Sequence, residues 1–492
     1  MNTQLRRLAV VLMALFVLLF AQLNVLQVAR ADRYATDPRN TVELARDQAR
    51  NRGQIITADG VVVAQSVPVD DRFAYQRQYP EGELFAHAVG SFSPFFGAVG
   101  VEQQYNDVLV GETSQQKVAG LGALFNSKQR TGDVHVTLRK DLQQVAKDAL
   151  GDREGSVVAL DIRTGAVLAL WSWPSYDPDS VSGHDVAVAE ATRKTLLADE
   201  RKPLLANAYQ ESYMPGSTFK IMTSTAALQS GVPTDRVWET ERAYTPPDTT
   251  KPINNYGAEL CGGDFFTVFK VSCNTPFARL GVELGSKTMV DTTKAFGFSQ
   301  KLPIDLPGAA SSFFGEQADF EQDQPRLAQS SFGQNAVTVV PLHLAMIAAS
   351  VANKGKMMAP YVMDETVDSD GTVLQSFKPY VWKTPMSEET AATLTQAMIG
   401  VVQAGTAHCC MQLANGIQAA AKTGTAQLRA PADPRGPLSH AWITAFAPAE
   451  NPRVAVAVMV KASAEVTTGV GGTVAGPVAH NLLDAAMFAI PS

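Results

Sequence analysis

An unbroken apolar run from Leu8 to Ala21, preceded by Arg6 and Arg7, limits the fold of this chain more than any other stretch, because its place is a lipid bilayer. In hydrocarbon every backbone polar group must be satisfied within the segment, so the run has to be a helix. Basic residues ahead of it hold the N-terminus in the cytoplasm and send the C-terminal bulk of the chain across. The strictly apolar part is 14 residues, the length of a signal-peptide core, and Ala29-Arg30-Ala31 resembles a cleavage site. Continued through Gln22, Asn24 and Gln27 to Val28, it reaches 21 residues and can span. We read residues 1–29 as a cytoplasmic tip and an uncleaved single-pass anchor. Under either reading the rest of the chain lies outside the cytoplasm.

Totals matter here for what they exclude. The 492 residues allow two or three domains, and a net charge of −7 without a basic block argues against a nucleic-acid partner. Export makes the four cysteines, Cys261, Cys273, Cys409 and Cys410, candidates for pairing. Cys261 with Cys273 closes a short loop of ordinary size, whereas adjacent Cys409 and Cys410 close a strained ring. Three full pairings and free thiols all stay open. The seven histidines are scattered and no Cys/His spacing suits a metal, so neither metal nor cofactor is expected.

Past a polar stretch, residues 30–52, read as a linker or helix, Asp59-Gly60 turns a hairpin between the β-branched runs of Gly53–Ala64. Residues 73–128 carry no clean period. A strand at Val134–Leu138 and a helix over Lys140–Leu150 close a small N-terminal non-catalytic domain, residues 30–150. Residues 151–492 form the second domain. It opens with a hairpin, Gly155–Asp161 and Ala166–Trp171, and passes a Pro- and Thr-rich loop at Thr245–Pro252. Irregular segments over Leu302–Gln334 suit the walls of a cleft. Beyond them lie a buried helix at Pro341–Val351 and an amphipathic one at Glu388–Gln403. Strands are expected at Gly416–Thr425, Ala441–Ala447 and Val454–Val460, then a last helix over Gly472–Ala489.

Within that domain, Pro215 and Gly216 break the chain, and good helix formers begin at Ser217. Lys220 falls one turn on, on the same helix face, as a serine nucleophile with a lysine partner requires. Ser-x-x-Lys alone is weak: a serine opening a helix is most often a cap, and Ser114-Gln115-Gln116-Lys117 matches as well. Two later patterns occur once each and in order, Ser272-x-Asn274 and Lys422-Thr423-Gly424. In isolation they read as a turn and a strand end. As an ordered set the three are specific.

The chemistry explains the residue types. Ser217 must lose a proton as it attacks an amide carbonyl, and Lys220 can take it if its pKa is lowered. Ser272 can relay that proton to a leaving amine, and Asn274 can bond both lysine and substrate backbone. Lys422 brings positive charge, and the Thr423 and Thr425 hydroxyls can hold a carboxylate. The N–H groups of Ser217 and Thr425 suit an oxyanion hole, and Gly424 would let substrate backbone approach.

With these motifs the chain resembles the class B penicillin-binding proteins over nearly its whole length, actinobacterial members being the nearest likeness. Arg52-Gly53-Gln54-Ile55, Gly100-Val101-Glu102, Pro174–Pro178 and His440-Ala441-Trp442 add to the likeness. It implies an α+β penicillin-binding/transpeptidase fold, an antiparallel sheet flanked by helices plus a helical subdomain, behind a dimerisation- or pedestal-type N-terminal domain. The hairpin at 155–171 would share one sheet with the C-terminal strands. It also implies a D,D-transpeptidase that cross-links D-Ala-D-Ala stem peptides of peptidoglycan through an acyl-enzyme at Ser217 and is acylated by β-lactams. A SEDS-family glycan polymerase and divisome or elongasome proteins are the partners it suggests. Thr57-Ala58-Asp59-Gly60 replaces the family's usual Asp-Arg-Asn-Gly turn. Cys273 lies inside the second motif, where a bridge to Cys261 would pin the loop carrying Ser272 and Asn274. A β-lactamase would share the three motifs, but no Glu-x-x-x-Asn stands between Asn274 and Lys422 to deacylate in the class A manner. A non-turnover β-lactam sensor or a silent scaffold is the other alternative; the few residues ahead of the single span argue against signalling machinery for a sensor, and intact motifs argue against a silent scaffold.

Overall fold

The five strands that carry the site form an antiparallel sheet in the order Ala420–Arg429, Leu438–Ala447, Val454–Val460, Gly155–Asp161, Val167–Trp173. The structure is a computed structural model and describes residues 2–25, 50–116, 130–429, 433, 435, 437–463 and 470–490. Most of the expected linker, residues 30–49, and Lys117 of the second Ser-x-x-Lys lie outside the described residues.

Two units divide the chain: Met1–Asn51 with Val67–Gln76, and Arg52–Ser66 with Arg77–Ser492. The first contains a helix, Asn2–Asn24. Its 19-residue stretch Arg6–Asn24 is long and apolar enough to cross a membrane, and its leucines, valines and phenylalanines are exposed.

In the second unit, every residue of Val454–Val460 is buried, as a central strand covered on both faces must be. Helix Pro341–Ala352 is apolar on all sides, buried through Val351, and packs on the middle strands. Helices Lys140–Leu150 and Gly476–Ala489 pack on each other and on the same sheet. As expected, the 155–173 hairpin and the C-terminal strands are one sheet, Val454–Val460 pairing with Gly155–Asp161. Ala420–Arg429 lies at its edge and borders a helical group formed by Lys220–Gln229, Phe265–Lys270, Thr275–Ala295 and Glu388–Ala404.

A second, mixed sheet includes Ile55–Ile56, Val62–Pro68 and Gly132–Val136, the first running parallel to the last. The hairpin turns where Gly60 takes a φ of +81° and Thr57 Oγ1 donates to Asp59 at 2.6 Å. Met363–Asp368 and Val373–Ser376 return to this sheet, Met363–Asp368 pairing antiparallel with Gly132–Val136.

Several boundaries differ from the sequence reading. The strand expected from Gly416 begins at Ala420, because Asn415 (φ +56°) and Gly416 (φ +68°) take left-handed conformations that no strand accepts. The irregular 302–334 segment contains short helices Gln317–Glu321 and Gln324–Ser330, the latter capped by Asp323 on Arg326 N–H at 2.9 Å. The last helix divides into Gly471–Val474 and Gly476–Ala489.

Candidate active site

Ser217 does not cap an α-helix. It sits in a 3₁₀ turn, Gly216–Phe219, and the α-helix begins at Lys220 and runs to Gln229. Thr218, not Ser217, closes the turn by donating to the Pro215 carbonyl at 2.9 Å. The turn is fixed from three sides. Gly216 N–H donates to Gly333 O at 2.9 Å, and Trp442 Nε1 donates to Met214 O at 2.9 Å. Phe219 stacks on Phe314 with ring centres 5.2 Å apart. Ser217 stays half-buried, and its hydroxyl makes no hydrogen bond among the described residues.

Lys220, fully buried, turns to the second motif. Its Nζ donates to Ser272 O at 2.8 Å and to Asn274 Oδ1 at 2.9 Å, and lies 3.3 Å from Ser272 Oγ. Lys422 Nζ reaches the same Ser272 Oγ at 2.8 Å, with a further bond to Thr423 O at 3.1 Å. One hydroxyl thus bridges two lysine side chains. Ser272 holds a φ of +63°, an uncommon conformation for a residue with a side chain, and so presents both its carbonyl and its hydroxyl inward. The chain around it is the turn between helices Phe265–Lys270 and Thr275–Ala295.

Both lysines are buried, and among the described residues neither has a carboxylate partner; each instead faces an aromatic ring, Phe277 for Lys220 at 5.3 Å and Phe269 for Lys422 at 5.6 Å. Burial, and then the like charge of Lys422, hold Lys220 well below the usual ammonium range. Burial alone pushes Lys422 down to about 7. Such an arrangement favours the neutral amine more than water does, which is the direction a proton acceptor beside a serine needs.

The third motif lies on the edge strand. Lys422 and Gly424 share one face, as strand alternation requires. A side chain at Gly424 would meet Pro215 O at 2.6 Å and Thr218 N at 3.1 Å, so the missing Cβ admits the serine turn rather than a substrate. Gly216 answers it across the contact with a φ of +55° and its own close approach to Thr425 O. The Thr423 hydroxyl shares a 2.6 Å hydrogen bond with Thr406, and half-buried Thr425 accepts from Gly471 N–H at 3.4 Å.

Cysteines flank the site. Cys261 and Cys273 form a disulfide with Cα atoms 5.7 Å apart, tying the middle of the Ser272 motif to strand Cys261–Gly263. Cys409 and Cys410 are also joined, the pairing that ring strain makes the less expected one. Among the described residues no free cysteine remains. Sequence reasoning missed two groups here. Asn255 and Asn254 hold the second motif, and Thr406 holds Thr423; Asn255 and Thr406 stand in irregular segments, and Asn254 ends the strand Ile253–Asn254, too short to show a period.

A serine turn, a lysine-bridged Ser-x-Asn turn and a Lys-Thr-Gly edge strand converge on one point, and residues 155–484 match the penicillin binding protein transpeptidase domain. The chain belongs to that family. Residues 52–134 match the penicillin binding protein A dimerisation domain. Among curated relatives, peptidoglycan D,D-transpeptidase PbpA of Mycolicibacterium smegmatis is 38% identical, with 99% of each chain covered. PbpA of Mycobacterium tuberculosis is 35% identical over the full length of both. The ceftriaxone acyl-enzyme complex of penicillin-binding protein A from M. tuberculosis superposes with a TM-score of 0.83 at 33% identity, covering 90% of this chain and 100% of that one. Its penicillin G acyl-enzyme complex gives 0.81 at 33%, covering 89% and 100%.

Proposed function

We propose that this protein is a peptidoglycan D,D-transpeptidase that cross-links stem peptides through an acyl-enzyme at Ser217 and is acylated by β-lactams at the same atom. The observation that carries the reading is the Ser272 hydroxyl bridging two buried lysines beside the Ser217 turn. Ser217 Oγ attacks the carbonyl carbon of the penultimate D-Ala, and its proton passes to Lys220. As the C–N bond breaks, the departing D-Ala amine takes a proton through Ser272, and an ester remains on Ser217. An acceptor amine then attacks the ester, forms the cross-link amide, and returns a proton to Ser217. In a β-lactam the leaving nitrogen stays tethered and blocks the acceptor.

Asn274 orients Lys220 and the substrate backbone, while Lys422 stabilises charge and supplies the relay. Thr425 and Thr423 receive the substrate carboxylate, the latter after giving up its bond to Thr406. The edge strand has outward N–H groups against which an extended peptide can lie, and N–H groups of Ser217 and Thr425 serve the oxyanion. The protein is held by a single N-terminal span with residues 151–492 on the extracytoplasmic side, where peptidoglycan is. Residues 30–150 form the non-catalytic domain, and a SEDS-family glycan polymerase within a divisome or elongasome complex is the partner the family likeness supports.

Fluorescent penicillin labelling of wild type and Ser217→Ala tests the reading. Label on the wild type alone is expected, with slow turnover of a chromogenic cephalosporin. Equal label on both proteins contradicts the nucleophile, and rapid turnover favours a β-lactamase.

A further inference from the structure

The Ser272-Cys273-Asn274 turn carries the groups that hold Lys220, yet it is a strained link between two helices. Its anchor is a neighbouring side chain. Asn255 is buried, and its Oδ1 accepts from the backbone N–H of Asn274 at 2.8 Å and of Thr275 at 3.1 Å. Its Nδ2 donates to Glu241 O at 2.8 Å, with Glu259 O and Thr275 Oγ1 each at 3.4 Å. Asn274 Nδ2 returns a bond to Asn254 O at 3.0 Å. Cys273, between the two motif residues, is tied to Cys261 of the same segment. The turn is therefore gripped at two successive residues by one stretch of chain, Glu241–Cys261.

We infer that Asn255 is a positioning residue of the acylation step, fixing Asn274 and through it the hydrogen bonds of Lys220. An asparagine suits the place because one planar amide offers an acceptor to two adjacent N–H groups and a donor to a carbonyl on the far side. Those N–H groups belong to the first turn of helix Thr275–Ala295, where no intrahelical acceptor exists. An N-cap side chain reaches the N–H groups of the second and third helical residues, not its own or that of the first, so these two N–H groups need an acceptor from outside the helix, and Asn255 supplies it. The side chain of Asn274 meanwhile bonds Lys220 and Asn254. The disulfide restrains the same turn, but at Cys273 only, and does not supply the two accepted bonds.

The inference rests on the proposed acylation at Ser217, and its test separates the two. Second-order acylation by a fluorescent penicillin is measured from pH 5 to 10 on the full chain, for wild type and Asn255→Ala, with melting temperature followed in parallel. With the amide gone, Asn274 is released and water reaches Lys220. The charged groups bearing on this region are Lys422, which faces Lys220, and the Glu241–Arg279 ion pair beside Asn255, which the substitution leaves in place. Acylation is expected to slow about tenfold to a hundredfold, as for other misplaced catalytic groups. The acid limb of the profile is expected to move to higher pH as Lys220 is rehydrated. A folded Asn255→Ala with the wild-type rate and limb overturns the inference. Should alanine prevent folding, Asn255→Ser, which keeps a shorter acceptor, is read in the same way, and a wild-type rate and limb in it overturn the inference equally. Wild type that takes no label overturns both this inference and the reading it rests on.

Discussion

Two clusters of buried charge lie in the second unit, and they are built on opposite principles. Around Glu102, Arg52 donates to one carboxylate oxygen at 2.9 and 3.1 Å and Arg77 to the other at 2.6 Å, with Tyr79 OH at 3.2 Å. Burial alone would raise the Glu102 carboxyl, but Arg77 and Arg52 outweigh it and hold it below its usual range. Around Ser272, two equally buried lysines share a hydroxyl and, among the described residues, have no carboxylate. The first cluster keeps its charges fixed at neutral pH. The second is poised to lose a proton, which serves chemistry and costs stability.

The contrast breaks most sharply at Lys220. Lys220→Met is expected to slow penicillin acylation about a thousandfold or more, the scale of losing a general base. Its melting temperature should change little, since an apolar chain of similar size relieves a buried amine that has no carboxylate partner among the described residues but leaves Ser272 O and Asn274 Oδ1 without their donor. A large loss of stability would show that the lysine is structural. Glu102→Gln should do the reverse. Leaving two buried guanidinium groups unpaired is expected to lower unfolding free energy by about 3–5 kcal/mol, read by denaturant titration. Acylation of the folded fraction should hold within about twofold, since Glu102 is not among the groups that touch the reacting atoms. Because the Glu102 carboxyl is depressed in the folded state, its contribution is complete above the ordinary carboxylate pKa. It is lost as pH falls through the depressed value.

Lys422 sharpens the comparison on the alkaline side. Its folded pKa of about 7 lies below the ordinary 10.5, so between those values the folded protein binds fewer protons than the unfolded chain. Stability must then rise with pH across that window, by up to about 1.4 kcal/mol per unit. Denaturation at pH 7 and pH 9 should show wild type gaining about 2 kcal/mol more than Lys422→Met. Equal gains would mean that Lys422 is solvated or paired. The smallest effect is expected at Ser114→Ala, which should leave labelling unchanged, because Ser114-Gln115-Gln116-Lys117 has neither the Pro-Gly break ahead of it nor the apolar run behind it that Ser217 has in sequence.

How much could be read in advance depends on how local each signal is. Lys140–Leu150, Gly155–Asp161 and Val454–Val460 carry their period in their own residues, and the structure repeats these limits. Met363–Asp368 is different. Its pairing with Gly132–Val136 joins distant parts of the chain, and nothing in its own sequence names that partner. At the site, residue types required by the chemistry were legible as motifs, but their contacts were not. Ser217 lies in a 3₁₀ turn because the close approach of Gly216 to Thr425 and of Gly424 to Pro215 sets the chain there. Lys220 turns to Ser272 and Asn274 rather than to Ser217. Asn255 was illegible for the same reason: a polar residue after a Pro- and Thr-rich loop looks like any other until the turn it grips is placed beside it.

In the proposed reaction the Ser217 hydroxyl is the group that is acylated, and Lys220 takes its proton. Peptide mapping by mass spectrometry after penicillin G treatment at pH 7 tests this most directly. The peptide containing Ser217 is expected to gain the mass of one intact penicillin, with the peptides containing Ser114 and Ser272 unchanged. An adduct on Ser272, or on any peptide other than that of Ser217, would contradict it.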